Sequence, residues 1–235
     1  MVEISKKYKL KNTVTFGFVN WIGLWTLYKK EVLRFLIVWI QTLLSPIISS
    51  LLFLLVLALA IGNERADVLG YPFITFLAPG LIAMQVIQQA FSHSSSSFMI
   101  GKIQGNIVDI LYAPLSPGEV TTAVVLASAT RSFMIAFISI IIFYFLVDIE
   151  IRNIYAVIFF TLISSIILGC IGVIAGLWAE KFDHMATVTS FIIIPLSFLS
   201  GTFYSIERLP QILQTISKCN PCLLYTSDAA DDASS

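Results

Sequence analysis

Four polar side chains stand inside stretches that otherwise lack charge: Arg131, Gln85, Gln88 and Gln89. A cation at the centre of a bilayer costs about 2.5–3.5 kcal/mol on insertion scales, so it usually faces protein or water. The three glutamines fall on one side of a helix, with Gln85 at a depth similar to that of Arg131. We expect Arg131 to donate hydrogen bonds to these amides or to a lipid phosphate and to line a path across the membrane. The alternative is a buried anchor that joins two spans.

The apolar stretches lack the residues that intramembrane catalysis or proton transfer would need. Intramembrane proteolysis needs paired aspartates, or a serine with a histidine, and proton-coupled transport is expected to keep a carboxylate near the bilayer midplane. The apolar stretches hold no Asp or Glu, and His93 and His184 flank their ends. The three cysteines, Cys170, Cys219 and Cys222, fit neither a disulfide framework nor a zinc site. We therefore assign no catalytic and no metal-binding residue.

The elements that carry these residues are membrane-spanning helices. Of the 235 residues, 57% are hydrophobic and only 12% are charged, and the mean hydropathy is +0.90, whereas about a quarter of a soluble domain is charged. Crossing about 30 Å of hydrocarbon takes about 20 apolar residues as a helix, because backbone groups find no water there. The apolar runs are continuous rather than alternating, which favours helices over strands. The sequence predicts an all-α polytopic bundle with five spans, at about residues 35–61, 68–91, 120–147, 154–179 and 185–206.

Basic residues indicate the orientation of the bundle. Seven Lys and Arg precede the first span, and with Lys102 and Lys181 they place nine on one side against four on the other. Cytoplasmic loops carry the excess of positive charge, so the amino terminus is predicted to be cytoplasmic.

The segment 1–34 predicts an amphipathic helix. Trp21, Ile22, Trp25 and Tyr28, with Phe18 and Val32, fall at helical spacing, and basic residues lie toward the other side. Tryptophan and tyrosine favour the headgroup level, and basic side chains reach anionic phosphates. We expect an interfacial helix on the cytoplasmic surface; the alternative is that it extends the first span.

Small residues and prolines predict where the spans pack and bend. Gly169, Gly172 and Gly176 follow one helical face and favour close helix packing. Pro46 and Pro195 lie within spans and predict kinks.

The connection from Ser92 to Glu119 predicts a short helix between two breaks. Ile107, Ile110 and Leu111 stand at i, i+3 and i+4, which gives this helix one apolar face. Gly105 can end the helix that precedes it.

The end of this connection restarts a helix. Pro114 stops the short helix, and Ser116, Pro117 and Glu119 have the spacing of a capping box with proline at the first helical position. A short helix held between two spans could transmit force from a soluble partner. The alternative is a packed loop on the membrane surface.

Five short motifs follow one another along the chain. They are Pro79-Gly80-Leu81-Ile82-Ala83-Met84, Gly105-x-x-x-Asp109-x-Leu111-x-x-Pro114-Leu115-Ser116-Pro117, Ser200-Gly201-Thr202-Phe203-Tyr204, Leu209-Pro210 and Asn220-Pro221. Together they resemble the membrane subunit of type-2 ABC exporters over about residues 36–221. Asn106 stands where threonine is the commoner choice in that family.

The resemblance implies a place for the short helix. It would be the coupling helix that sits in a groove of a separate ATP-binding subunit. The coupling residues would be Gly105, Ile107, Asp109, Ile110, Leu111, Pro114, Leu115, Ser116 and Pro117. The resemblance also implies six spans, a homodimer or heterodimer of permeases, a pair of ATPases and alternating access.

ATP chemistry is expected in another polypeptide. The sequence has no G-x-x-x-x-G-K-[ST], and Gly101-Lys102 lacks both the upstream glycine and the following hydroxyl. We therefore expect a chain that is not an enzyme and holds no cofactor, with ATP and Mg²⁺ bound by the partner. The resemblance implies export of a hydrophobic drug, a lipid or a glycan across a bacterial cytoplasmic (inner) membrane. Lipid would be a further partner and nucleic acid would not; the alternative function is a non-transporting structural or assembly subunit.

Residues 222–235 do not fit this description. They begin Cys222-Leu-Leu-Tyr-Thr-Ser-Asp-Ala-Ala-Asp, which resembles the translation of an adapter used in DNA sequencing libraries, so we expect a truncated reading frame with a non-native tail. The formal net charge of the chain is zero; without the tail's three aspartates the 14 acidic residues become 11 and the net charge becomes +3.

Overall fold

The computed structural model describes residues 19–61, 73–147 and 154–198. These ranges form eight α-helices and two π-helical segments, and no strand occurs in them. The α-helices are α1 Trp21–Ile37, α2 Ser45–Ile61, α3 Phe73–Ile103, α4 Ile107–Tyr112, α5 Pro117–Leu146, α6 Ile154–Trp178, α7 Phe182–Val188 and α8 Ile194–Phe198. The π-helical segments are Ile40–Leu44, before α2, and Thr189–Ile193, between α7 and α8.

The predicted all-α membrane bundle is confirmed. Within the described ranges, three helices are long and apolar enough to cross a membrane: Ile40–Leu59, Pro117–Leu146 and Ile154–Trp178. Most of the second predicted span, residues 68–91, lies in α3. The described part of the fifth predicted span, residues 185–206, lies in α7, in the π-helical segment Thr189–Ile193 and in α8. Residues 1–18, 62–72, 148–153 and 199–235 lie outside the described residues, so the number and limits of the spans remain predictions.

Helix α3 is the centre of the bundle, because it packs against α2, α5 and α6. Phe91 and Met99 of α3 are fully buried in a cluster with Leu168 of α6. A second cluster joins Leu81 of α3 to Phe143 of α5. The polar residues of the candidate site project from this central helix and its neighbours.

The glycine face predicted on α6 is confirmed as a packing surface. A Cβ added to Gly172 would lie 2.7 Å from the carbonyl oxygen of Phe91, and one added to Gly176 would lie 2.7 Å from that of Ser95. At Gly169 it would lie 2.7 Å from Ser128 Oγ. The absence of side chains lets the backbones of α3 and α6 approach closely.

A π-helical segment lies just before each of the two span prolines. Ile40–Leu44 precedes Pro46, and Thr189–Ile193 precedes Pro195. Proline has no N–H for the regular helical ladder, and a wider π turn is a common local adjustment inside an α-helix.

Helix α1 presents a different face to the bundle from the aromatic one. Leu27, Glu31 and Phe35 are buried, whereas Trp21 and Trp25 are exposed. The helix continues through the predicted boundary at residues 34 and 35 and ends at Ile37. Trp21 and Trp25 are therefore free of the described part of the bundle, whereas Tyr28 of the same aromatic set bonds Thr130 of α5 at 2.9 Å.

Candidate functional site

The short helix α4 has the limits that the sequence predicts. Gly105 has φ of +76°, a left-handed conformation that glycine adopts readily, and it separates α3 from α4. Ala113 and Pro114 end α4, and Ser116 is the N-cap of α5. The predicted order of helix, break, short helix, break and helix is confirmed.

The apolar residues of α4 are only partly covered by the bundle. Ile107 packs against a buried cluster that includes Val124. Leu111, which the spacing assigns to the same apolar face, is 76% exposed, and Tyr112 is 85% exposed. The bundle therefore covers Ile107 of the predicted apolar face and leaves Leu111 uncovered. An outward apolar surface remains, formed by Val108, Leu111 and Tyr112.

The capping box at the start of α5 is confirmed and also ties down α1. Glu119 accepts the backbone N–H of Ser116 at 2.7 Å and that of Asn20 at 2.6 Å, one with each carboxylate oxygen. Asn20 is the N-cap of α1, and its side chain accepts from the Gly23 N–H and donates to the carbonyl of Pro114. The start of α1 and the exit from α4 therefore share one hydrogen-bonded junction.

Lys102 joins the other end of this segment to α6. Its ammonium donates to the carbonyls of Gly176 at 2.9 Å and Ala179 at 3.0 Å, and also to that of Leu177. Carbonyls in the last turn of a helix have no intrahelical donor, and a lysine satisfies them while complementing the helix dipole. The segments before and after α4 are thus each tied to another helix by long-range contacts.

Arg131 lies in a buried polar group between α1, α3 and α5. The residue is 9% exposed, and its Nη2 donates to Gln89 Oε1 at 2.6 Å and to the carbonyl of Thr42 at 3.3 Å. Its Nη1 lies 3.5 Å from His93 Nδ1. The guanidinium therefore bonds to protein groups in the described part of the chain, which matches the burial expected of an intramembrane cation.

The other two predicted glutamines lie apart from the guanidinium. Gln85 is buried, donates to the carbonyl of Pro46 at 2.6 Å and accepts weakly from Ser139 Oγ at 3.4 Å. Gln88 is half-buried. The structure thus brings Arg131 together with Gln89, whereas Gln85 bonds the carbonyl of Pro46 in the first span.

Glu31 is the buried carboxylate that the sequence reasoning missed. Its Oε2 accepts from Ser97 Oγ at 2.8 Å and lies 3.0 Å from Arg34 Nη2. His93 Nε2 lies 3.9 Å from the same oxygen, beyond hydrogen-bond distance. The His93 ring therefore lies between the Glu31 carboxylate and the Arg131 guanidinium.

The described residues contain no group of three or more His, Cys, Asp or Glu side chains that could hold a metal ion. Most polar atoms of this site bond to backbone carbonyls or to one another, whereas His93 Nε2 and Arg131 Nε are buried without a hydrogen-bond partner among the described residues.

Comparison with known proteins decides the family. The sequence model of the ABC-2 type transporter family matches residues 23–229. The chain belongs to the ABC-2 type transporter family. It is therefore a membrane permease of an ABC transporter, a class that works with an ABC ATP-binding subunit and is not itself the enzyme. The match passes Pro221, so the assignment of residues 222–235 as non-native remains a prediction.

Curated relatives agree with this assignment. The chain is 30% identical over 207 residues to the inner membrane transport permease YadH of Escherichia coli strain K12, covering 88% of this chain and 81% of YadH. It is 24% identical over 220 residues to nodulation protein J of Rhizobium leguminosarum bv. viciae, covering 89% of this chain and 80% of the relative. No solved structure gives a significant match to this ABC-2 type chain.

Proposed function

We propose that this chain is the membrane-spanning permease subunit of an ATP-driven exporter and that it docks on a separate ATPase through α4. It would act as a homodimer or heterodimer of permeases in a bacterial cytoplasmic (inner) membrane, with its amino terminus in the cytoplasm. The relatives named as inner membrane transport permeases support the location. The proposed cargo class is a hydrophobic drug, a lipid or a glycan.

The observation that carries the proposal is the outward apolar surface of α4. Val108, Leu111 and Tyr112 are 46%, 76% and 85% exposed on a six-residue helix that has no buried residue. Contiguous exposed apolar surface marks interaction sites. Asp109 on the same helix is also exposed and adds a charged contact.

The connections of α4 support a role in transmission. Its two ends lead into α3 and α5, which carry the central packing of the bundle. Lys102 links the entrance to α6, and the junction of Asn20 with Glu119 and Pro114 links the exit to α1. A displacement of α4 by a partner would therefore reach four helices. The proposed coupling residues Gly105, Ile107, Asp109, Ile110, Leu111, Pro114, Leu115, Ser116 and Pro117 all lie in this segment.

ATP and Mg²⁺ belong to the partner in this proposal. The sequence carries no phosphate-binding loop of the G-x-x-x-x-G-K-[ST] type, so this chain supplies the path and the coupling surface.

Arg131 has two candidate roles within the permease. In the first, Arg131 with Gln85, Gln88 and Gln89 lines the translocation path; the half-buried side chain of Gln88 favours this role for that residue. In the second, Arg131 anchors the bundle, which its burial and its bonds to α3 and to the first span favour. The substitution Arg131→Leu separates the roles: a path residue loses export while the ATPase still binds, and an anchor loses assembly as well.

Association with the ATPase tests the docking surface. The chain would be co-expressed with the ATP-binding subunit encoded beside it, purified, and compared with Leu111→Asp. Burying a leucine side chain stabilises by about 1.5–3 kcal/mol, so we expect Leu111→Asp to weaken the complex by about ten- to a hundredfold. Phe182→Asp is the matched control, because Phe182 is an exposed apolar residue outside α4. Equal binding by both variants, or no binding by the unmodified chain, would favour a structural membrane subunit.

A further inference from the structure

Proline and π-helical turns are the usual causes of a bend inside a helix. The first span has both, Pro46 and the π-helical segment Ile40–Leu44, at a point where its own backbone lacks a donor. The residue four positions after Thr42 is Pro46, which has no N–H, so the carbonyl of Thr42 loses its usual helical partner. In the π-helical turn just before, the N–H of Ser45 donates to the carbonyl of Ile40. A carbonyl left in apolar surroundings needs another donor, since an unpaired buried group costs free energy.

Side chains from two other helices supply donors at this bend. Arg131 of α5 donates to the carbonyl of Thr42 at 3.3 Å, and Gln85 of α3 donates to the carbonyl of Pro46 at 2.6 Å. Both residues are at most 9% exposed. The bend is thus held from the inside of the bundle by two polar side chains that are separated by 46 positions in sequence.

The two donors are themselves held in place. Gln89 accepts a second bond from Arg131 Nη2 at 2.6 Å, and Ser139 lies 3.4 Å from Gln85 Oε1. Each donor therefore has a partner besides the bend, which limits its rotamers.

The opposite side of the same bend is open. A groove of about 550 Å³ lies there, lined by residues of the segment from Ile37 to Ser49 that include Trp39, Gln41 and Ile48. The groove is formed by the bent segment alone, so its shape depends on the angle of the bend.

We propose that Arg131 and Gln85 are positioning residues that set the bend of the first span at Pro46, and with it the groove on the outer side. They act through the carbonyls of Thr42 and Pro46. Any consequence for export rests on the proposed function. The geometry of the bend is independent of that function.

Distance measurement between spin labels tests this inference on the full chain in lipid nanodiscs. Labels would be attached at Thr26→Cys in α1 and Val56→Cys in α2, both exposed positions on either side of the bend. The background would carry serine in place of the three cysteines of the chain, Cys170, Cys219 and Cys222.

We expect Gln85→Leu and Arg131→Met each to broaden the distance distribution, because each removes a donor. Gln88→Leu is the matched control on α3 and should leave the distribution unchanged. Size-exclusion profiles and helical circular dichroism identify any variant that fails to fold, and two independent donor variants keep the test informative.

The substitution Pro46→Ala supplies the decisive comparison. Alanine restores an N–H four positions after Thr42, so the distance should lengthen as the span straightens, and adding Arg131→Met should then cause no further change. Unchanged distributions in both donor variants, or fully additive effects of Arg131→Met and Pro46→Ala, would overturn the inference. These distances need no ATPase, so a failure of the proposed function would leave them unaffected.

Discussion

Replacing Glu31 with glutamine tests whether a buried carboxylate docks α1 on the bundle. The Glu31 side chain is 3% exposed, accepts from Ser97 at 2.8 Å and lies 3.0 Å from Arg34. Glutamine has nearly the same shape and keeps an acceptor oxygen. The substitution therefore removes the negative charge and little else.

Two contributions give the expected loss in free energy of unfolding. Arg34 is 30% exposed, so solvent screens its ion pair to about 0.5–1 kcal/mol. The bond from Ser97 falls from charged to neutral strength, a loss of about 1 kcal/mol. We expect Glu31→Gln to lower stability by about 1.5–2 kcal/mol in total.

Unfolding in detergent micelles and limited trypsin digestion measure this effect. Trypsin cleaves after Lys29 and Lys30, which are exposed on α1, so weaker docking of α1 should accelerate cleavage there. Glu180→Gln is the matched control; Glu180 is exposed, and we expect a change within about 0.5 kcal/mol.

The reasoning fails if Glu31→Gln and Glu180→Gln have equal stability and equal cleavage rates. A double substitution adds a second check. If Glu31 compensates the charge of Arg131, Glu31→Gln combined with Arg131→Met should cost less than the sum of the two single changes.

Two further substitutions test the packing and the junction. Gly172→Ala should destabilise the protein by about 1–3 kcal/mol, because its Cβ would lie 2.7 Å from the Phe91 carbonyl oxygen. Gly118→Ala is the control and should be nearly neutral, because no atom lies within 4 Å of its Cβ position. Equal unfolding midpoints of the two variants would contradict the close packing. Asn20→Ala should cost about 1 kcal/mol through loss of the N-cap and the bond to Pro114, and hydrogen exchange at the start of α1 should speed up; unchanged exchange would show that the junction is not needed.

The segment around α4 could be predicted because its signals are local. A left-handed turn at Gly105, a stop at Pro114 and the capping box of Ser116 with Glu119 all depend on residues within a few positions. The exposure of Leu111 could not be predicted from the sequence, because the spacing of three apolar residues does not indicate how much of a short helix the bundle covers.

The buried polar contacts depend on pairs far apart in sequence. Nothing near Asn20 indicates that its backbone N–H bonds Glu119, which is 99 positions away. For Glu31 a signal was present: Leu27, Glu31 and Phe35 stand four residues apart and share the buried face of α1. A carboxylate at the centre of an apolar stripe predicts a buried partner. The aromatic residues of the same helix indicate a different face, and the prediction of an interfacial helix is based on that face.

ATP-driven transport by the reconstituted complex tests the central proposal most directly. Inside-out proteoliposomes with this chain and its ATP-binding subunit would be offered a lipophilic dye, a fluorescent phospholipid and a lipid-linked oligosaccharide. We predict ATP-dependent accumulation of at least one probe, lost in Leu111→Asp and retained in Phe182→Asp. A complex that binds the ATPase and hydrolyses ATP but moves no probe, or transport that survives Leu111→Asp, would contradict the account.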